Sequence, residues 1–308
     1  MKKTLMSKIY SFIVSPDYRF VFFADHGLHT SMKDEEFIRK MYKAKFGRYP
    51  RLENPITFTE KLQWLKLHDQ RPEYTSLVDK YEVKQFVAER IGSQYVIPIL
   101  GVWNKFEDID FDSLPEQFVL KTTHDSGGVV ICKDKRSFDL KLARKVINKS
   151  LNTSFYALYR EWPYKNVIPR IIAEKYMEDS TTKELRDYKF FCFEGKVKAL
   201  YIASDRQKSG EETKFDFYDE NYNHLPFLNG HPNAAIPPVK PSGFEDMKIL
   251  AEKLSYGFPH VRVDLYEVDG SIYFGELTFC HMSGFAPFEP EEWDERFGTW
   301  LNLPLKSE

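Results

Sequence analysis

The 308-residue sequence has little cysteine and no excess of either charge, and each shortage excludes a class of protein. Its three cysteines, Cys132, Cys192 and Cys280, are far apart and odd in number, so we expect neither a disulfide framework nor a paired zinc site. A reducing cytoplasm is the expected location. The 44 basic and 46 acidic residues give a net charge of −2, which offers no whole-molecule attraction to nucleic acid. Nucleic acid is therefore not an expected partner.

The sequence also lacks a long hydrophobic run. Lys8, Asp17 and Arg19 interrupt residues 1–23 before they reach the roughly 20 apolar residues that span a bilayer. The segment therefore predicts neither a signal peptide nor a transmembrane helix. An amphipathic helix resting on the inner membrane or on a partner is one interpretation, and an ordinary packed helix is the other.

Hydrophobic periodicity predicts an α+β fold. Residues 31–90 show helical spacing, and Thr57 followed by Glu60 has the spacing of a capping box. We therefore expect helices to begin near Thr59 and again near Ser76. After residue 92 the pattern changes to short β-rich runs bounded by proline and glycine. The expected parts are an α-rich N-terminal region, a small α+β lobe and a large α+β lobe, at residues 1–78, 79–179 and 180–308.

A polar loop with two glycines follows the first clear strand. Lys121 ends the strand, and Ser126, Gly127 and Gly128 lead into the next one. Glycine lets backbone N–H groups approach an anion, and a lysine anchored on a strand supplies a fixed positive charge. A phosphate-binding loop is one interpretation, and an ordinary hairpin turn is the other. It is not a Walker loop, which ends in Gly-Lys-Ser/Thr before a helix.

Two short motifs of alternating polar residues lie on the last predicted hairpin. Arg262 and Asp264 share a face of the first strand, and Glu276 and Thr278 share a face of the second. A two-residue loop would leave Glu276 on the face opposite to Asp264. A three-residue loop around 268–270 would place Arg262 opposite Glu276, with Asp264 beside them. We therefore predict the three-residue loop.

The oxygen atoms of this hairpin are suited to magnesium. Mg²⁺ usually takes one or two carboxylates together with substrate phosphates, so Asp264, Glu276 and Thr278 are the candidate metal ligands. Arg262 would neutralise an anion that develops beside them. The alternative is an arginine–carboxylate salt bridge on an exposed sheet.

A third candidate segment is an apolar strand that runs into acidic residues at 171–179. Backbone groups at the end of such a strand can bind adenine, and a carboxylate can hold the ribose hydroxyls. An amphipathic strand with charged edges is the alternative. The candidate residues in this segment are Glu174, Tyr176, Met177 and Glu178.

Taken in this order, the segments resemble an ATP-grasp enzyme. Lys80, in the string Val78 to Lys84, resembles the lysine of the Asp-Lys signature of D-alanine:D-alanine ligases, which contacts the nucleotide phosphates. The resemblance further implies that Lys121 is the second phosphate lysine and that Arg262 is the catalytic arginine. It implies a phosphate loop at Ser126, Gly127 and Gly128, an adenine and ribose hinge at Glu174 to Glu178, and magnesium carboxylates at Asp264 and Glu276.

The sequence is most similar to one subgroup, the TupA-like ATP-grasp amidoligases found among teichuronopeptide and capsular polysaccharide genes. The resemblance covers about residues 57–293. Thr278 departs from the wider superfamily, which usually has a metal-binding asparagine there, and a hydroxyl is a weaker ligand than an amide oxygen. The segments that carry the resemblance are Phe58–Asp69, Ile99–Trp103, Arg160–Lys165, Asp187–Phe193 and Gly257–Asp264.

The resemblance implies a fold in which two α+β lobes clasp ATP, and an enzyme that joins a carboxylate to an amine through an acyl phosphate with Mg²⁺. The carboxylate would belong to a uronic acid of a surface polysaccharide or its nucleotide-sugar precursor. The amine donor would be an amino acid or amino alcohol, and the enzyme would associate peripherally with membrane polysaccharide machinery. Arg160, Lys189 and Arg206 would face an anionic substrate or else form exposed salt bridges. His281 would line the sugar pocket or else pack in the core or at its rim.

Two other functions remain open. Residues 107–112 contain overlapping Asp-x-Asp patterns, which could hold a metal and a sugar nucleotide in a glycosyltransferase. Such acidic strings also occur in solvated turns. The second alternative is a non-catalytic nucleotide-binding scaffold.

Overall fold

A computed structural model of the chain describes residues 5–125, 127–181, 185–204 and 212–304. The α+β class predicted from the sequence is confirmed. The helices are α1 (Leu5–Val14), α2 (Pro16–Asp25), α3 (Asp34–Phe46), α4 (Phe58–His68), α5 (Glu73–Val78), α6 (Val83–Arg90), α7 (Leu140–Leu151), α8 (Phe155–Tyr159), α9 (Phe244–Ser255) and α10 (Glu292–Trp300). The strands are β1 (Ile99–Trp103), β2 (Phe118–Thr122), β3 (Val129–Cys132), β4 (Ile171–Lys175), β5 (Asp187–Phe193), β6 (Lys196–Ser204), β7 (Lys214–Asp219), β8 (His224–Leu225), β9 (Leu228–Asn229), β10 (His260–Val268), β11 (Ser271–Thr278) and β12 (Phe288–Glu289).

The capping box predicted at the start of α4 is confirmed. The Thr57 hydroxyl accepts a hydrogen bond from the Glu60 amide at 3.3 Å, and the Glu60 carboxylate accepts one from the Thr57 amide at 3.3 Å. A helix start near Ser76 was the wrong expectation, because Ser76 lies inside α5. That helix begins directly after Pro72, whose fixed φ suits the first turn of a helix.

The smaller sheet has four antiparallel strands in the order β1-β4-β2-β3. Ala143 and Ile147 of α7 pack in one core with Phe118 and Leu120 of β2, so this helix covers one face of the sheet. The first strand of this sheet begins at Ile99, after a 3₁₀ turn at residues 93–95. On the other face of the sheet, Val119, Val129 and Ile131 line a cleft.

The larger sheet has six antiparallel strands in the order β11-β10-β5-β6-β7-β8. Helices α5, α6 and α9 share a hydrophobic core with one of its faces. Helices α4 and α10 share a second, phenylalanine-rich core with the other face, in which Phe58 contacts Phe191 and Phe297. All seven residues of β5 are therefore buried. The boundary expected at residue 78 falls between α5 and α6, which pack into the same core.

The three-residue loop predicted for the β10–β11 hairpin is wrong. Val268 pairs with Ser271, so only Asp269 and Gly270 form the turn. Their φ angles are 49° and 77°, the left-handed values that a two-residue type I′ turn requires. The shorter connection forms because this turn matches the right-handed twist of the strands.

A β-bulge at Gly275 nevertheless brings the polar residues of the hairpin to one face. Leu265 pairs with Phe274, whereas Asp264 pairs with Glu276, so Gly275 is the additional residue. A Cβ on Gly275 would lie 3.0 Å from the Tyr266 ring and 3.1 Å from the Asp264 carbonyl oxygen, which is why glycine suits this position. The expectation that only an odd-length turn gathers these side chains was therefore also wrong.

Candidate active site

A cleft of about 430 Å³ lies between the two sheets. It brings together many of the residues predicted from the sequence. Those that line it are Lys80, Lys121, Gly127, Glu174, Tyr176, Met177, Lys189 and Glu276. Val119, Val129 and Ile131 add an apolar wall from the smaller sheet. The cleft therefore combines cations, carboxylates and an apolar surface, the mixture typical of a nucleotide site.

A buried carboxylate flanked by two lysines lies on the small-sheet side of the cleft. Glu174 pairs with Lys84 at 2.7 Å and with Lys121 at 2.5 Å. Burial raises the pKa of Glu174, but the two lysines outweigh burial and lower that pKa to about 2. Glu174 thus holds Lys121 at the cleft wall. Lys84 was not among the site residues predicted from the sequence, although its position four residues after Lys80 was an indication of a shared location.

The lowered pKa of Glu174 predicts a loss of stability in acid. Since its folded pKa lies below the usual 4.5, this group stabilises the fold above pH 4.5 and loses that contribution as the pH falls towards 2. We expect the free energy of unfolding of the wild type to decrease over this pH range. In Glu174→Gln the decrease should be smaller, because the contribution of the Glu174 carboxylate is absent. Urea unfolding at a series of pH values measures the free energy of unfolding of both proteins. The exposed carboxylate Glu116, replaced by glutamine, is the control, and an equal change in both variants would contradict the prediction.

Lys80 lies beneath the glycine loop. Its amide donates to the Thr123 carbonyl at 3.1 Å, and its ammonium group donates to the carbonyl oxygens of Thr122 and Asp125. Burial lowers the pKa of Lys80, and the nearby Glu276 and Asp125 carboxylates oppose that effect. These contacts fix a positive charge at the base of the loop.

The Asp125 side chain stabilises the glycine loop to which it belongs. Its carboxylate accepts hydrogen bonds from the Thr122 hydroxyl at 2.6 Å, from the Gly128 amide at 3.2 Å and from the Ser150 hydroxyl of α7. The loop is therefore tied to both the sheet and the helix that covers it. The sequence contains a signal for this role, because a short acidic side chain commonly accepts hydrogen bonds from backbone amides a few residues along a turn.

The crowding around Gly128 predicts a destabilising substitution. A Cβ on Gly128 would lie 2.0 Å from the Thr122 Oγ1 atom and 2.3 Å from the Ser150 Oγ atom. We expect Gly128→Ala to reduce the free energy of unfolding by about 1–3 kcal/mol through overpacking. Gly127→Ala is the matched control, because its Cβ would meet only the Asp125 Oδ2 atom, at 3.8 Å. Equal unfolding midpoints in urea for the two variants would count against this packing.

The hairpin of the larger sheet forms the opposite wall, and its polar residues are joined through Arg262. The guanidinium group donates to both oxygens of Asp264 at 2.7 Å, and to Glu276 and Thr278 at 3.0 Å each. Burial raises the pKa of Glu276, but Lys189, Arg262 and Lys80 outweigh it and lower that pKa to about 2. Glu276 is therefore a charged carboxylate at the cleft.

Two further residues hold this network. Lys189 on β5 contacts the Asp264 carboxylate directly and lies 3.5 Å from Asp187. His281 accepts a hydrogen bond at its Nδ1 atom from Arg262 at 3.0 Å, and its Nε2 atom lies 2.8 Å from the Asn229 side-chain oxygen. Burial, followed by the Arg262 charge, keeps the pKa of His281 well below its ordinary value, so its neutral form positions the arginine.

Sequence reasoning missed two members of this group. Asp187 was detectable, because it lies two positions before Lys189 on the same strand and so shares its face. Asn229 left no such signal, since it belongs to the two-residue strand β9 and reaches His281 only through the tertiary fold.

Two other candidate positions lie apart from this cluster. Arg160 is buried away from the cleft lining, where it donates to the His29 and Ala157 carbonyls at 2.5 and 2.7 Å and pairs with Asp34 at 3.2 Å. Glu178 pairs with Lys133 at 3.0 Å beside Tyr176, outside the residues that line the cleft. The predicted residues Ser126 and Arg206 lie outside the described part of the chain.

The Asp-x-Asp string does not lie in the cleft. Asp108, Asp110 and Asp112 are exposed to solvent, and none of them is among the residues that line it. The Asp110 carboxylate instead accepts hydrogen bonds from the amides of Asp112 at 3.1 Å and Ser113 at 3.4 Å. It therefore closes a local turn, as acidic residues in solvated turns often do.

The candidate magnesium ligands differ in how readily they fit an ion. The Glu276 side chain is 37% exposed and faces the cleft, so its carboxylate can hold a metal together with phosphate oxygens. Asp264 is fully buried, and both of its oxygens already accept hydrogen bonds from Arg262 or Lys189. The Thr278 hydroxyl donates to Glu276 at 3.3 Å and accepts from Arg262. Glu276 therefore fits the ion best.

Two antiparallel sheets that face each other across a cleft rich in lysine and carboxylate define an ATP-grasp fold. A model of the TupA-like ATPgrasp family matches residues 60–302, so the chain belongs to this family. Both the resemblance and the fold class predicted from the sequence are confirmed. No curated protein sequence matches the chain.

Solved structures of ATP-grasp ligases are similar in fold at low sequence identity. The ligase PsnB, complexed with minimal precursor, is 10% identical with a TM-score of 0.39, over 68% of this chain and 55% of PsnB. D-alanine–D-alanine ligase from Bacillus anthracis, complexed with ATP, is 15% identical with a TM-score of 0.37, over 66% and 53%. L-amino acid ligase from Bacillus licheniformis is 13% identical with a TM-score of 0.41, over 70% and 44%. The chain spans about half the length of these ligases.

Proposed function

We propose that the protein is an ATP-dependent ligase that joins a carboxylate to an amine through an acyl phosphate. The observation that carries this proposal is the juxtaposition, across one cleft, of Lys80 and Lys121 with Glu276, which accepts a hydrogen bond from Arg262. Phosphoryl transfer requires positioning and stabilisation of negative charge more than covalent chemistry by the protein. Fixed cations on one wall and an arginine–carboxylate network on the other supply both.

We assign the nucleotide to the small-sheet side of the cleft. Lys80, Lys121 and the amides of Gly127 and Gly128 would bind its phosphates, and Ser126 would add a hydroxyl donor. The backbone at Tyr176 and Met177 would bind adenine. Glu174 holds Lys121 in place, and Glu178 would approach the ribose. The apolar wall of the cleft would cover the base and exclude water from it.

We assign magnesium to the opposite wall. When bound, the ion would neutralise charge on the phosphates, and Glu276 would hold it. Asp264 would join as a ligand only by releasing a hydrogen bond from Lys189 or Arg262, and Thr278 only by turning its hydroxyl oxygen to the ion. The Arg262 guanidinium, held by Asp264 and His281, would stabilise the acyl phosphate and the oxyanion formed when the amine attacks.

We propose a uronic acid of a surface polysaccharide, or its nucleotide-sugar precursor, as the carboxylate, and an amino acid or amino alcohol as the amine. Family analogy is the basis for this choice. Lys189 and Arg262 support an anionic substrate, because both are cations at or next to the cleft. The three free, buried cysteines are consistent with a cytoplasmic enzyme.

Release of ADP and phosphate tests the reaction. The full chain would be incubated with ATP, Mg²⁺ and a panel of uronic acids and UDP-uronic acids, with and without amino acids and amino alcohols. The ligase predicts release that requires one carboxylate and one amine together. Sugar-nucleotide cleavage without ATP would instead indicate a glycosyltransferase. ATP binding without turnover of any pair would favour the scaffold.

A further inference from the structure

Helix α1 leaves one apolar face without a packing partner in the described part of the chain. Met6, Ile9, Tyr10 and Ile13 follow the spacing i, i+3, i+4 and i+7, so they lie on one side of the helix. Their exposed fractions are 79%, 49%, 67% and 68%. We call these four side chains the outer stripe of α1. Single exposed apolar residues are common, but a continuous stripe on a helix indicates an interaction surface.

The other side of α1 is already used for packing. The Phe12 ring makes edge-to-face contacts with Phe22 and Phe23 of α2, with ring centroids 5.2 and 5.8 Å apart. The Arg19 guanidinium donates to the carbonyl oxygens of Phe12 and Ile13 at 3.0 and 2.7 Å. These contacts hold α1 against α2 and turn the outer stripe away from the protein.

The charge of the N-terminal sequence selects the kind of partner. Residues 1–16 include Lys2, Lys3 and Lys8 and no acidic residue, and the first acidic residue is Asp17. A basic segment that carries an apolar helix face suits the surface of a membrane that contains anionic lipid. A second copy of the chain would present the same positive segment and would repel it.

The length of α1 determines how it would contact such a surface. A helix of 10 residues is about 15 Å long, half the roughly 30 Å thickness of the hydrocarbon core. No helix in the described ranges has the length and apolar character needed to cross a bilayer. The helix would therefore lie in the plane of the surface, with its stripe among the acyl chains.

We propose that the outer stripe of α1 docks the protein on the surface of an anionic membrane. The stripe supplies apolar burial, and the lysines supply attraction to anionic headgroups. The geometry and charge of α1 carry this inference independently of the reaction in the cleft. Docking would hold the protein at the membrane surface through α1 alone.

Co-sedimentation of the full chain with lipid vesicles tests the proposal. The probes are vesicles of phosphatidylcholine alone and of phosphatidylcholine with phosphatidylglycerol. We expect the wild type to bind the anionic vesicles more tightly, and the double variant Ile9→Asp/Ile13→Asp to bind them at least about ten-fold more weakly. The control variant Ile236→Asp/Val239→Asp replaces two side chains that are 85% and 79% exposed in the connector before α9, and it should bind as the wild type does.

Two further measurements separate membrane docking from misfolding and from self-association. Unfolding midpoints should be the same in both variants and the wild type, because the replaced side chains are exposed. Multi-angle light scattering reports self-association. The proposal is overturned if the wild type ignores anionic vesicles, binds neutral vesicles equally well, or loses binding equally in the control variant. A wild-type dimer that Ile9→Asp/Ile13→Asp converts to a monomer, without lipid binding, would assign the stripe to a second copy.

Discussion

Replacement of Glu276 by glutamine is expected to lower the rate of ADP formation about a thousand-fold while the protein stays folded. The carboxylate is charged, faces the cleft and fits magnesium best among the candidate ligands. Glutamine keeps an oxygen that can accept the hydrogen bonds from Arg262 and Thr278 but removes the negative charge. A coupled assay for ADP measures the loss, and the thermal unfolding midpoint confirms the fold.

Glu267 provides the matched control for this substitution. It lies on the same hairpin, where it accepts hydrogen bonds from Ser242 and Gly243, and it is not among the residues that line the cleft. Glu267→Gln should therefore retain ADP formation in the same assay. If folded Glu276→Gln turned over as fast as this control, the cleft could not be the site of phosphoryl transfer that we propose.

Asp264→Asn is expected to destabilise the fold by about 3–5 kcal/mol, besides lowering activity. Asp264 is fully buried and is the shared counter-charge of Arg262 and Lys189. Removing its charge leaves two buried cations close together. Removing one partner of a buried ion pair is strongly destabilising because the other charge stays buried and uncompensated, whereas replacing both partners by apolar residues often costs little. Urea unfolding of the variant and the wild type measures the difference. Any loss of activity must be measured on the folded fraction.

A double-mutant cycle identifies the source of that cost. If uncompensated positive charge is the cause, then Lys189→Met should be less harmful in the Asp264→Asn background than in the wild type. We expect the two changes to be non-additive by at least about 1 kcal/mol. Additive losses would show instead that Asp264 acts through Arg262 alone. Arg39→Met is a control that should be additive with Asp264→Asn, because Arg39 pairs with the exposed Glu35 and Glu53 carboxylates, which do not belong to this network.

Local sequence signals predicted much of the fold. The capping box at Thr57 and Glu60 depends on residues three positions apart, and the strands and helices of both lobes follow from hydrophobic period. The predictions were wrong at two places where two local signals favoured different structures, the start of α5 and the β10–β11 turn. Ser76 is a good helix cap in principle, but Pro72 begins the helix earlier. Likewise Asp269-Gly270 favours a two-residue turn, whereas only the alignment of the polar residues favoured a three-residue turn.

The candidate site residues differ in how well the sequence alone could predict their positions. Lys121 and the two glycines beyond it were recognisable because a charged strand end and a flexible loop are adjacent in the chain. Lys189 could be suspected, but its contact with Asp264 depends on β5 pairing with β10, 75 residues away. Arg160 was predicted to face an anionic substrate, and the tertiary structure places it against the N-terminal helices, where it contacts His29 and Asp34.

The sequence by itself determined which chemical groups are available at the strand ends and how they alternate within each strand, because side-chain direction in a strand repeats every two residues. The tertiary structure alone decided which groups meet. The bulge at Gly275 sets Asp264 opposite Glu276, and the pairing of β5 with β10 brings Lys189 to the same carboxylate. Register and strand neighbours depend on packing between distant segments, which short-range patterns do not encode.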